Sequence, residues 1–234
     1  MLLNKTDSFR DYLHKEYGIE YERPVEFVTE SIPLEEQIDY TEFSERRRQT
    51  GHNCTSYKTN VDILEQTTND DKVKTALSDM AAIGSVEALK YLTTYAEQNK
   101  GLYDYWPSIA RNECRGTVEY DLTGEIKIYI LSPFGSVDGK IKFKALVRNN
   151  TRSEFTPLQQ KIIAKEFAFQ DSRHRTETTV KFTSKGLILH MLMPLDVPIL
   201  STIAETLSEC NTLGCNIDID SLSLKNFNGK GPLF

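Results

Sequence analysis

No stretch of this 234-residue sequence approaches the ~18–20 consecutive apolar residues that a membrane-spanning helix needs. The opening segment MLLNKTDSFRDYLHKEYG turns polar after three residues. It therefore lacks the apolar stretch of a secretory signal, and a cytoplasmic protein with no membrane partner is expected. Cysteine is scarce. Cys54, Cys114, Cys210 and Cys215 have no paired C-x-x-C spacing, which argues against a zinc ribbon. Free thiols in a reducing compartment are expected instead. The chain has no G-x-S-x-G, H-E-x-x-H, P-loop or G-x-G-x-x-G. The sequence thus offers no catalytic, cofactor-binding or metal-binding residue, and a non-catalytic protein without a cofactor is expected.

The residues that are present describe an ordinary folded chain. Hydrophobic residues make up 39% and charged residues 26%, enough apolar material for a core. The net charge of −6 is unevenly spread. Residues 1–122 hold 14 Lys and Arg against 23 Asp and Glu, whereas residues 123–234 hold 14 against 11. An acidic front and a mildly basic back indicate two kinds of unit, and neither is basic enough to mark a nucleic-acid-binding domain.

The periodicity divides the chain further. A short helix is expected over 7–17. Residues 18–60 are acidic and punctuated by Pro24 and Pro33, so an irregular, partly helical segment is expected, with one helix near 34–48. The cluster Arg46-Arg47-Arg48 reads as a solvated helix turn or an acid-docking patch. From about 61 to 122 the period is helical. Val73, Leu77 and Met80 share a stripe, Gly84 suits a left-handed stop, and Ser85 can cap the next helix. Leu89, Leu92 and Ala96 continue the pattern, and after NKGLYDYW the stripe Ile109, Ala110, Cys114, Val118 follows. The run IGSVEALKYL, a loop and SIARNECR resembles a HEAT-type repeat over about 70–115. The whole chain also resembles uncharacterised bacterial proteins in which a short HEAT-like segment precedes a ferredoxin-like α+β domain. That resemblance implies a fold and brings no activity with it.

After residue 123 the period changes to two. EIKIYIL and KIKFKALVR alternate apolar with polar residues, the pattern of half-buried strands, and SPFGSVDG reads as the hairpin between them. Thr156, Pro157 and Gln159 form a capping box ahead of a helix carrying Leu158, Ile162, Ile163, Phe167 and Phe169. TETTVKFTSKGLILHMLMP reads as two strands joined near Ser184-Lys185-Gly186. Asp196 and Pro198 open a last helix, and a final strand falls near 217–227. The β-α-β-β-α-β order over 139–227 is that of a ferredoxin-like split unit, an antiparallel sheet with two helices on one face. The strand at 125–131 is expected to add to its first strand. The expected domains are thus 1–60, 61–122 and 123–234.

Two surfaces emerge as candidate sites. On the helical segment, Tyr91, Tyr95, Tyr103, Tyr105 and Trp106 are candidate aromatic anchors for a protein partner, with Arg111 and Arg115 either clamping an acidic partner or pairing with Glu119 and the acidic front. On the sheet, the face opposite the helices shows Tyr129, Lys140, Lys142, Lys144 and His190, an alternative face for an anion, a small ligand or RNA. His190 is expected to be packed. The strand GLILHML is apolar on both sides, so this face is expected to be covered by the helical segment, by a second copy in a homodimer, or by a partner. The paired positions His52 and Cys54, and Asp218 and Asp220, are expected to be structural rather than chemical. Protein–protein interaction as an adaptor is the leading reading and RNA or small-ligand regulation the alternative.

Overall fold

A computed structural model of the chain describes residues 7–50, 55–99, 105–151 and 153–224. In chain order it contains α1 (Phe9–Tyr17), β1 (Val25–Ser31), α2 (Leu34–Gln49), α3 (Tyr57–Gln66), α4 (Asp70–Ile83), α5 (Val86–Gln98), α6 (Trp106–Thr123) and β2 (Ile128–Ser132). Then come β3 (Ser136–Val137), β4 (Lys140–Asn149), α7 (Pro157–His174), β5 (Glu177–Thr183), β6 (Gly186–Met193), α8 (Ile199–Thr212) and β7 (Ile217–Leu224). The protein is a mixed α+β chain. Among the described residues, no helix is long and apolar enough to cross a membrane.

Two compact units result. One is Arg23–Ser132; the other joins Met1–Glu22 to Pro133–Phe234. These boundaries differ from the division at 60 and 122 read from the sequence: the Ser8–Pro198 bridge and the Arg10 N–H to Leu195 carbonyl bond at 3.0 Å join the first segment to the later sheet unit, and one strand pair accounts for the rest. β1 lies parallel to β2, with Val25 opposite Ile128 and Phe27 opposite Ile130. The segment 25–31 is therefore a strand rather than an irregular stretch. The strand at 128–132 belongs with it, and not with the first strand of the later sheet. Both ends of the helical unit are tied together by that ladder.

The helical unit follows its local signals closely. Asn69 caps α4, Gly84 ends it at φ +59°, and Ser85 caps α5 by accepting the Ala88 N–H at 3.1 Å. A Cβ at Gly84 would also lie 2.4 Å from Thr117 Cγ2, so this stop doubles as a close packing point. Val73, Leu77, Met80, Leu92, Ala110 and Cys114 are fully buried in the core. Trp106 joins them, with the rings of Tyr40 and Phe43 edge-on at 5.1 and 5.4 Å and the Lys74 ammonium 4.6 Å from its ring.

The second unit is one antiparallel sheet in the order β7-β4-β6-β5, with β3 beside the start of β4. The hairpin lies between β3 and β4, not between β2 and β4. Asp138 and Gly139 both have positive φ, as a two-residue primed turn requires. On one sheet face the two central strands are buried, through Ile141, Phe143, Ala145 and Val147 from β4 and Leu187, Leu189, Met191 and Met193 from β6. α7 and α8 pack on each other, α7 beside β5 and α8 beside β7. Thr156 and Gln159 form the expected capping box at the start of α7. The apolar side of α7 is narrower than its sequence implies. Ile163 and Phe167 are buried, whereas Leu158 and Phe169 are 68% and 60% exposed. Cys114, Cys210 and Cys215 are buried free thiols. Burial pushes Cys114 up to about 11 and Cys210 up to about 12, so both are inert hydrophobes in this fold.

Candidate functional site

A hollow of about 680 Å³ lies between α3 and α5 of the helical unit. It arises from helical spacing. Glu87, Lys90, Tyr91, Thr94, Tyr95 and Gln98 recur along one stripe of α5 and line one wall. Tyr57, Leu64 and Glu65 from α3 line the other. Ser56 caps α3 by accepting the Thr59 N–H at 3.2 Å, which fixes Tyr57 as its first residue. Three tyrosine rings form a ladder. Tyr57 meets Tyr91 edge-on at 6.5 Å, and Tyr91 stacks on Tyr95 at 6.0 Å. Burial pushes the Tyr91 phenol up to about 12, and the nearby Glu65 carboxylate adds to the effect. Tyr91 therefore stays neutral through the physiological range, and the ladder lines the hollow together with Glu65 and Glu87. A concave aromatic wall with carboxylates at its edge suits a cationic side chain.

The sequence-predicted anchors divide sharply at this point. Tyr91 is half-buried and lines the hollow; Tyr95 lines it too but is 8% exposed. Trp106, at 2%, is a core residue and not a surface anchor, and Tyr105 is half-buried against the same core. Tyr103 lies outside the described residues, as do His52 and Cys54. Tyr57, Glu65 and Glu87 are the lining residues that sequence reasoning misses as a site. Their common signal is available in part, because Glu87, Tyr91 and Tyr95 fall four residues apart on one helix face.

Arg111 and Arg115 are absorbed inside the helical unit. Arg111 pairs with Glu30. Arg115 bonds Glu119 at 2.7 Å and Glu26 at 3.0 Å, and its guanidinium stands 4.9 Å from the Tyr129 ring. Tyr129 donates to Glu119, and Lys127 pairs with Glu26. Tyr129 and Lys127 thus close a charge cluster against β1 and α6, and neither stands on the face of the second unit's sheet where the sequence placed them. Burial pushes the Glu119 carboxyl up, but the hydrogen bonds from Tyr129 and Arg115 outweigh it and the net displacement is downward. The arginine cluster at the end of α2 is solvated at Arg46 and Arg48 and half-buried at Arg47, and it is also engaged by carboxylates. Arg47 bonds Asp79 at 2.7 Å, and Arg48 pairs with Glu113, which also accepts from Tyr40 at 2.5 Å. Asp79 is 3% exposed and accepts Thr55 as well, so the cluster ties α2 to α4 and α6.

On the sheet of the second unit, the register sets the outer face in rows. Lys142, Leu192 and Glu177 lie side by side; next come Lys144, His190 and Thr179, then Leu146, Ile188 and Lys181. Lys140 bonds Glu177 at 2.8 Å. His190 is exposed and not packed, because it alternates outward while Leu189 and Met191 point into the core. Partial burial depresses its imidazole pKa, and the positive charges of Lys181 and Lys144 depress it further.

Comparison with family models, with characterised proteins and with solved structures finds no match for this chain.

Proposed function

We propose that the chain is a non-catalytic adaptor that docks a basic segment of a partner protein in the tyrosine-lined hollow between α3 and α5. In this reading the helices α3 to α6 act as short HEAT-like hairpins presenting the hollow, and the second unit is a ferredoxin-like domain. The observation that carries the proposal is the tyrosine ladder of Tyr57, Tyr91 and Tyr95, open on one side and flanked by Glu65 and Glu87. Charge complementarity selects the occupant. The helical unit holds 12 Lys and Arg against 19 Asp and Glu, and of the charged lining side chains two are acidic while Lys90 alone is basic. An arginine or lysine entering the hollow exchanges water for aromatic faces, an interaction of about 0.5–2 kcal/mol per cation.

The test is a calorimetric titration of the whole chain with octa-arginine and with octa-glutamate. Octa-arginine is expected to bind and octa-glutamate is not. Tyr91→Phe keeps the ring and is expected to keep the affinity; Tyr91→Leu removes it and is expected to weaken binding about 3- to 30-fold. Equal binding of both peptides, or an unchanged affinity in Tyr91→Leu, would overturn the reading.

A further inference from the structure

We infer that the outer face of the β7-β4-β6-β5 sheet is a second docking site, one that takes an acidic polypeptide segment. The helices of this unit cover the other face. On the outer one, His190, Thr179, Lys181, Thr183 and Arg148 are exposed or half-buried, and Lys142, Lys144, Leu146, Ile188 and Leu192 are half-buried. Among the described residues, neither Lys144 nor Lys181 has a carboxylate within 4 Å, although they flank one imidazole. Such an assembly of like charge around His190 is relieved when an anionic group sits above it.

The centre of the face chooses the kind of anion. Leu146 and Ile188 on one side of the Lys144–His190 row and Leu192 on the other form an aliphatic strip that this basic row interrupts. A hollow of about 270 Å³ lies at the Phe134 and Leu192 end, and one of about 310 Å³ at the Gly186 end, beside Arg148 and Thr183. Aliphatic strips receive aliphatic side chains. Nucleic-acid bases stack on flat rings, and this face offers two, the His190 imidazole on β6 and Phe134 at the edge of one hollow, with aliphatic side chains at the other apolar positions; Phe143 and Phe182 alternate to the other side. A second copy of this face is disfavoured, since it would set lysine rows against lysine rows. A segment with acidic residues interleaved with leucine-like residues satisfies both the charge and the strip.

His190 reports on occupancy. The groups facing it are Lys142 and Lys144 on β4, Thr179 and Lys181 on β5, and Glu177 beyond Thr179, already engaged by Lys140. In the empty protein its pKa lies below that of a free imidazole. The unfolded chain therefore takes the proton first as pH falls, and stability drops through that interval. An acidic occupant reverses the local field and moves the pKa up. The experiment follows the His190 ring by NMR from pH 4.5 to 8, alone and with three probes: an octapeptide of alternating Glu and Leu, an eight-nucleotide thymidine strand, and inorganic phosphate. The Glu-Leu peptide is expected to raise the His190 pKa and to bind most tightly. A Lys144→Ala/Lys181→Ala double variant, whose changes lie on the surface, is expected to bind it at least tenfold more weakly. The proposal falls if the His190 titration is unmoved by the peptide, if the nucleotide strand or phosphate binds more tightly, or if the double variant binds as well as the parent chain.

Discussion

Trp106→Ala is expected to destabilise the helical unit by about 3–5 kcal/mol, the usual cost of emptying a large aromatic site in a core. Its indole is 2% exposed and carries ring contacts with Tyr40 and Phe43 and the Lys74 cation. Truncation leaves a void under α2, α4 and α6 at once, and the surrounding helices can collapse into it only in part. Far-UV circular dichroism during guanidinium denaturation is the suitable probe, because the chain has one tryptophan and the variant loses its fluorescence. Trp106→Phe refills part of the volume and is expected to recover more than half of the loss. A cost within about 0.5 kcal/mol, the range of an ordinary surface change, would contradict a core role and return Trp106 to the surface-anchor reading of the sequence.

The second large effect is expected at Gly186, the first residue of β6. A Cβ there would lie 2.1 Å from the Val147 carbonyl oxygen and 2.8 Å from Arg148 Cα. Both are backbone atoms of the paired strand β4, so neither can swing aside as a side chain would. Gly186→Ala must spread the central strand pair, and a loss of at least about 2–3 kcal/mol is expected. Gly124 makes the control. Its φ is +72°, and a methyl added there would meet nothing within 4 Å, so Gly124→Ala bears only the left-handed backbone cost of about 1–2 kcal/mol. Equal thermal shifts for the two variants would show that close strand packing at Gly186 is not the cause.

The legible parts of the sequence are those fixed by neighbours in the chain. Gly84 and Ser85 mark the junction of α4 and α5 through local caps, and Thr156 with Gln159 starts α7 the same way. The alternation in β4 and β6 identifies the buried face correctly. The errors arise where distant segments decide. EIKIYIL alternates as a strand whichever sheet it joins. Its partner β1 lies about a hundred residues earlier in a proline-flanked acidic stretch whose pairing no local signal announces. Alternation alone therefore puts Tyr129 and Lys127 on the wrong sheet. Trp106 is a different kind of miss. It falls four residues before Ala110 and eight before Cys114, on the same buried stripe, so helical spacing already points inward. His190 misleads because a strand apolar on both sides implies cover on both sides, whereas its outer positions Ile188 and Leu192 are only half-buried. Of the tyrosine hollow, Tyr91 and Tyr95 are legible and Tyr57 is not, because what brings Tyr57 to them is the packing of α3.

Docking of a basic partner segment in the tyrosine hollow is the central claim, and photo-crosslinking inside cells tests it most directly. A benzophenone amino acid placed at position 57, at the rim of the hollow, is compared with one at position 122, which is 73% exposed on α6. The account predicts a discrete adduct from position 57 alone, with the attached peptide carrying lysine or arginine beside the linkage. The same adducts from both positions, no adduct from position 57, or attached peptides without basic residues would contradict it.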